Sequence, residues 1–212
     1  MTALVLEKVA ITRNGQSAPL FPPLDLSVPA GKVATVMGPS GIGKSTLLDF
    51  IAGLLGPDWT ASGRVILAGR DLAGVPPESR RVGLVFQEAG LFPHLSVGEN
   101  LAFGLSGDTK GRAARRAAVE MALSSAGLAG FYGRDPASLS GGQRARAALM
   151  RTLLSKPAAL LLDEPFSRLD QSLRTEIRQF VFEHVRAAEI PALLVTHDPE
   201  DGAAAGGALL NI

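Results

Sequence analysis

The chain has 212 residues, a net charge of +1 and no cysteine. A near-neutral balance argues against nucleic acid as the main partner, because such binders carry a basic excess. Without cysteine there is no disulfide framework and no thiolate metal site. With 46% hydrophobic residues, the length suits one large domain or two small ones around a real core. The opening MTALVLEKVA places Glu7 and Lys8 inside any would-be apolar stretch and lacks a basic leader, so it does not read as a signal peptide. The longest apolar run, Ala158 to Leu162, stops at Asp163, far short of the ~18 residues a membrane helix needs. The expectation is a soluble chain that another polypeptide would have to hold at any membrane.

In chain order, residues 3–12 alternate as a strand and Leu24 to Val28 reads as a second. Lys32 to Met37 is a short β-branched run ending in glycine, the pattern of a buried strand. A helix is expected from Lys44 to about Leu55, then a loop at GPDWTASG, then a strand from Arg64 to Ala68. Val82 to Phe86 reads as another strand, entered from the polar ESRR turn. From Ser96 to Gly127 the pattern is helical and rich in alanine and arginine. Gly133 to Ser138 is a loop, and a long helix is expected from Ser140 to Ser155. Ala158 to Leu162 and Ala192 to Thr196 read as buried strands. Between them Leu173, Ile177, Val181 and Val185, with Phe180, fall on one helix face. Ala208 to Ile212 is a last candidate strand. Strands alternating with helices imply an α/β fold with a parallel sheet, and the helical block at 96–155 reads as an insertion into it. Arg80, Arg81, Arg112, Arg115 and Arg116 read as solvated charges of helices and turns.

Three motifs carry chemistry. GPSGIGKS, Gly38 to Ser45, follows a buried strand and opens a helix, as a phosphate-binding P-loop does. Its glycines let backbone N–H groups turn inward to cradle phosphate, and the helix points its positive end at the same place. Lys44 would reach the β- and γ-phosphates, and Ser45 would offer Mg²⁺ a hard hydroxyl oxygen. A chance glycine turn is the alternative, and the strand and helix context weighs against it. LLLDEP, Leu160 to Pro165, delivers two carboxylates to the carboxyl edge of a parallel sheet, where ligands bind in such folds. Asp163 would support the Mg²⁺ shell, and Glu164 would polarise the attacking water. Alone, the stretch reads equally well as a polar strand end before a proline turn. LSGGQR, Leu139 to Arg144, begins 23 residues before Asp163 when counted from Ser140. A serine and two glycines opening a helix make a second anion site, or simply a helix N-cap with a glycine turn.

The order of these motifs has a likeness. A P-loop, Gln87 in VFQE, LSGGQ, LLLDEP, SRLD at Ser167 to Asp170 and His197 in LLVTHD, in that sequence, resemble the ATP-binding subunits of ABC transporters over nearly the whole chain. The resemblance implies a P-loop NTPase core with a mostly parallel sheet, an antiparallel β portion at the N-terminus and an inserted α-helical subdomain. It implies one ABC ATPase domain over 1–212, with 1–90 and 156–212 as catalytic core and about 91–155 as helical subdomain.

It also implies a site. Gly38, Pro39, Ser40, Gly41, Ile42, Gly43, Lys44, Ser45 and Thr46 would bind the nucleotide, with Mg²⁺ held near Ser45, Gln87 and Asp163. Glu164, His197, Gln87 and Lys44 would be catalytic. Leu139, Ser140, Gly141, Gly142 and Gln143 would close on the ATP of a second copy, with Ser167 and Asp170 across that interface. Relatives stack adenine on an aromatic ring where this chain has Arg13; Phe21 is the nearest ring in sequence, and arginine can itself lie against a base. LFPHLSVGENLAFGL, Leu91 to Leu105, is similar to the stretch after the Q-loop in importer ATPases of the polyamine, thiamine, sulfate and maltose groups, where a permease helix docks. Its Leu91, Phe92 and Leu95 would serve equally well as subdomain core.

The implied partners are ATP, a second copy, membrane permease subunits and, indirectly, a solute-binding protein, with no nucleic acid. The implied place is the cytoplasmic face of the cell membrane. Because the chain stops soon after His197, no C-terminal regulatory domain is expected, and dimerisation would rest on ATP and permease. An export-type or non-transport ABC ATPase is the alternative. A kinase or GTPase fits less well, since LSGGQ has no task in either and no N-K-x-D guanine motif is present.

Overall fold

A computed structural model describes residues 3–212. They fall into two compact units. The first comprises the residues to Leu84, Ala158–Glu164 and Phe182–Ile212. The second comprises Val85–Pro157 and Pro165–Val181.

The first unit is built on two sheets. One is antiparallel: β1 (Ala3–Arg13), β2 (Leu24–Pro29), β4 (Trp59–Leu67) and β5 (Arg70–Asp71), in the order β2-β1-β4-β5. The other contains β3 (Val33–Met37), β6 (Val82–Val85), β7 (Ala159–Asp163), β8 (Ala192–Thr196) and β9 (Leu209–Asn211), in the order β6-β7-β8-β3-β9. β3 runs parallel to β8 and β9, and β7 runs parallel to β8. Strands β7 and β8 read as unbroken apolar runs because both faces are covered. Ala159, Leu161, Leu193 and Val195 join one core with α1 (Lys44–Ala52) and the inner face of the antiparallel sheet, while Leu160, Leu162 and Leu194 are buried too. Leu47, Leu48 and Ile51 put one face of α1 into that core, each contributing about 1.5–3 kcal/mol on burial.

Several sequence expectations shift here. The stretch read as a loop at 56–63 is largely strand, since β4 begins at Trp59 and pairs with the end of β1 through Arg13↔Trp59 and Ile11↔Ala61. Its alternation is masked by Ser62, Gly63 and Arg64, three consecutive exposed residues. Helix α1 stops at Ala52 rather than near Leu55. Gly53 at φ 82 lets its own N–H and that of Leu54 turn back onto Phe50 and Asp49 carbonyls. Two short elements had no sequence reading, β5 and α6 (Pro199–Ala205).

The second unit is helical. The block at 96–127 is two helices, α2 (Val97–Phe103) and α3 (Arg112–Ser125), parted by a loop that holds Gly104, Gly107 and Gly111. Ser96 and Glu99 form a reciprocal capping box at the start of α2. α4 (Gly141–Leu154) follows, and α5 (Gln171–Ala187) belongs to this unit as far as Val181. Val97, Leu101, Val119, Leu123, Leu139 and Ala147 are among the residues of its core. Asn100, fully buried, binds Phe92 N–H and the carbonyls of Phe92, Leu95 and Ser96, so one side chain shapes the 92–96 loop.

Candidate nucleotide site

In the first unit β3 ends at Met37 and the chain turns through Gly38–Gly43 into α1. Gly43 sits at φ 110, a conformation that favours glycine, and a Cβ there would also crowd the Leu20 side chain, with Cδ1 at 2.5 Å. Lys44 is only 5% exposed. Its ammonium donates to the carbonyls of Gly38 at 2.8 Å and Pro39 at 3.0 Å, and lies 3.3 Å from Glu164 Oε1. A buried cation is held over a loop of backbone N–H groups at a helix start, and that arrangement fits a polyphosphate.

Strand β7 brings the acids to the same place. Ser45 donates to Asp163 Oδ1 at 3.0 Å. Burial raises the Asp163 carboxyl above its ordinary pKa; the Ser45 hydrogen bond opposes this, Glu164 adds to it and Lys44 counters it. A hydroxyl and a carboxylate in contact are the hard oxygen donors Mg²⁺ prefers, with nucleotide oxygens and water completing the shell. Glu164 adopts φ 43, a left-handed conformation costing of order 1–3 kcal/mol in a non-glycine residue. Its N–H donates to Val195 O at 3.0 Å, which ties the strained residue to β8. At the end of β8, His197 Nδ1 lies 2.9 Å from Glu164 Oε2. Lys44, Ser45, Asp163, Glu164 and His197 are therefore brought together.

Gln87, Leu139–Gln143, Ser167 and Asp170 lie in the second unit. Gln87, exposed, donates to Ser167 Oγ at 3.1 Å. Beside it Glu88 pairs with Arg168 at 2.5 Å. Ser140 caps α4 by accepting from Gln143 N–H at 3.3 Å, while Gln143 Oε1 accepts from Ser140 N–H at 3.0 Å. Leu139 is 4% exposed in the unit's core, and Gly142 is buried, where a Cβ would meet Leu173 Cδ1 at 2.6 Å. Asp170 caps α5, with its Oδ1 accepting from Leu173 N–H at 3.0 Å and Ser172 Oγ at 2.7 Å. Those two contacts lower its pKa, the backbone bond first.

Sequence reading misplaced or missed several residues. Phe21 is 3% exposed in the core, which leaves no face of its ring for a base. Arg13 is exposed and pairs directly with Trp59, an aromatic distant in sequence that the strand register makes its neighbour. Asn14 fastens this edge: its Nδ2 donates to Pro57 O at 2.8 Å, and Thr60 Oγ1 donates to its Oδ1 at 2.7 Å. Asp49 follows Ser45 by one helical turn, and burial and then the Asp163 charge raise its pKa. Its i, i+4 spacing from Ser45 was the available signal. Arg80 is not a solvated charge. It donates to Phe50 O and Ile51 O at 2.9 Å and to Val75 O at 2.8 Å, capping the end of α1 against Gly53. Arg115 likewise donates to Ala102 O at 2.9 Å, and the Arg116 guanidinium lies 3.4 Å over the Tyr132 ring.

Comparison with known proteins places the chain in a family. The model of the ABC transporter family matches residues 21–167. An uncharacterised ABC transporter ATP-binding protein of Escherichia coli (strain K12) is 49% identical over 178 residues, covering 84% of this chain and 82% of the relative. A thiamine import ATP-binding protein of Chelativorans sp. (strain BNC1) is 42% identical over 207 residues, covering 98% and 82%. A spermidine/putrescine import ATP-binding protein of Methylococcus capsulatus (strain ATCC 33009 / NCIMB 11132 / Bath) is 48% identical over 177 residues, covering 84% of this chain and 45% of the relative. A P-loop with a buried lysine, paired acids at a parallel strand end and this family match together make the chain a member of the ABC transporter ATP-binding family, an ATPase.

Proposed function

We propose that the chain energises a membrane permease for small-solute import, at the cytoplasmic face of the cell membrane, by binding and hydrolysing Mg-ATP. The observation that carries the catalytic part is Glu164, set between Lys44 at 3.3 Å and His197 at 2.9 Å. In this reading Lys44 exchanges that carboxylate for the β- and γ-phosphates. Mg²⁺ would be held by Ser45 and Asp163 together with nucleotide oxygens and water, and would supply charge neutralisation at the phosphates. Glu164 accepts the proton of the attacking water, and His197 keeps the Glu164 carboxylate aimed and contacts the γ-phosphate.

The import direction is supported by the relatives' printed roles in thiamine and spermidine/putrescine import. Second-copy closure through Leu139–Gln143, Ser167 and Asp170 is supported by Gly141. This residue is exposed in the first turn of α4, and a Cβ there would come no closer than 3.6 Å to Leu169 Cδ2. Glycine there has no local packing reason, whereas close approach of a phosphate gives one. The permease and a solute-binding protein follow from the same import reading. At the base, Arg13 is the exposed cation available to lie against adenine, with Trp59 beside it.

Lys44→Ala tests the phosphate assignment. Equilibrium titration should find ATP affinity lowered at least tenfold and hydrolysis lost, with circular dichroism unchanged. Unaltered ATP affinity would place the nucleotide elsewhere.

A further inference from the structure

Behind the loop that carries His197 lies a buried polar pair that phosphate chemistry does not use. Thr196, the last residue of β8, is 1% exposed, and Asp201, in the first turn of α6, is 2% exposed. The Thr196 hydroxyl donates to Asp201 Oδ2 at 3.1 Å. The same oxygen accepts the backbone N–H of Asp198 at 3.0 Å. The residues on either side of His197 are thus joined through one hydroxyl, and that hydroxyl is anchored by one carboxylate. Asp198 adds a further tie by accepting Glu200 N–H at 2.8 Å on its Oδ1.

The pair is also fixed to the strand that leads into the P-loop. Thr196 is opposite Met37 in the parallel register. Gly202, next to Asp201, is buried, and a Cβ there would stand 3.3 Å from Leu209 Cδ1 and in ordinary contact with Thr35 Cγ2 at 3.5 Å and Met37 Sδ at 3.8 Å. From this buried base the His197 ring emerges half-exposed and meets Glu164. Burying a carboxylate is costly unless it is bonded, and the bond it makes here sets the direction of a catalytic turn.

We propose that Asp201, acting through the Thr196 hydroxyl, is a positioning residue for the His197–Glu164 pair. The inference rests on the reading above, in which His197 orients the Glu164 carboxylate during hydrolysis. Loss of either group frees the 196–198 turn, and the ring swings off Glu164 without any change at the phosphate cradle.

The test compares Thr196→Val, Thr196→Ser and Asp201→Ala with the unaltered full chain, reading kcat, KM for Mg-ATP, ATP dissociation constant and histidine ring nitrogen shifts by NMR. Thr196→Val and Asp201→Ala should lower kcat about 10- to 100-fold, the scale of a misplacement near 1 Å. The ATP dissociation constant and KM should stay within about twofold, the scale of a few tenths of a kcal/mol. Thr196→Ser, which keeps the hydroxyl, should restore kcat. In both deleterious variants the His197 Nδ1 resonance should move toward those of the exposed rings, while His94 and His184 stay in place. Equal loss in Thr196→Ser and Thr196→Val, or an unmoved His197 resonance beside a lowered kcat, would overturn the inference. His197→Ala with wild-type kcat would instead overturn the reading on which it rests. If Asp201→Ala does not fold, Thr196→Val decides alone.

Discussion

Arg80 and Gly53 show how much a single side chain can carry. Two hydrogen bonds from a charged guanidinium cap the last turn of the P-loop helix and a third ties it to Val75 O, and glycine at 53 leaves room for it, since a Cβ would stand 2.5 Å from Arg80 Nε. Arg80→Ala should destabilise the protein by about 2–3 kcal/mol, because it leaves carbonyls short of a donor and removes charge-assisted bonds. Urea unfolding would report the loss, with ATP affinity retained once the protein is folded. The sequence signal for Arg80 was absent, because a turn reading ESRR looks the same whether its arginines face water or a helix end. The P-loop, by contrast, was legible residue by residue, since phosphate chemistry demands particular types at fixed spacing. Arg13 lies between these cases. Its exposure could be guessed, but its partner Trp59 depended on strand register. Trp59 is the single tryptophan of the chain. ATP should therefore quench the intrinsic fluorescence and tripolyphosphate should not, and Arg13→Ala should weaken ATP about 2- to 30-fold. Equal quenching by both ligands would remove the base from this edge.

Among the elements, the buried parallel strands β7 and β8 were plain from composition, because strands covered on both faces keep unbroken apolar runs. β4 was hidden by exposed polar residues at its centre, and α6 by its length. The single helical block became two helices because a glycine-rich break parts the Ser96–Glu99 capped helix from the Ala- and Arg-rich one. Helix caps in the second unit lend themselves to a pH test. Glu99 is held below its usual pKa, first by the Ser96 hydroxyl and then by Ser96 N–H, and Asp170 by Leu173 N–H and Ser172. A carboxyl depressed in the folded state stabilises fully above its unfolded pKa, and loses that contribution as pH falls through the folded value. Stability should thus fall below the ordinary carboxylate range. A Glu99→Gln, Asp170→Asn double variant should show a shallower fall over the same window in urea midpoints measured from pH 7 to pH 3. Parallel curves for the two proteins would mean the caps do not contribute.

For the whole molecule, the fold class and family could be read from motif order, since a P-loop, LSGGQ and LLLDEP in sequence leave few alternatives. What motif order could not supply was the local reason for each signature residue. Ser140 and Gln143 cap α4, and Gly142 makes room for Leu173. These tasks are complete within the chain, whereas Gly141 is exposed and has no such local task. The central claim is that Glu164 is the carboxylate that activates water for an ATP held between two copies. Glu164→Gln keeps the size of the side chain and removes the base, so bound ATP should survive. Size exclusion of this variant with and without Mg-ATP should give a dimer only with the nucleotide. A variant that binds ATP, fails to hydrolyse it and still elutes as a monomer would contradict closure between copies, and one that hydrolyses ATP at the wild-type rate would contradict the role of Glu164.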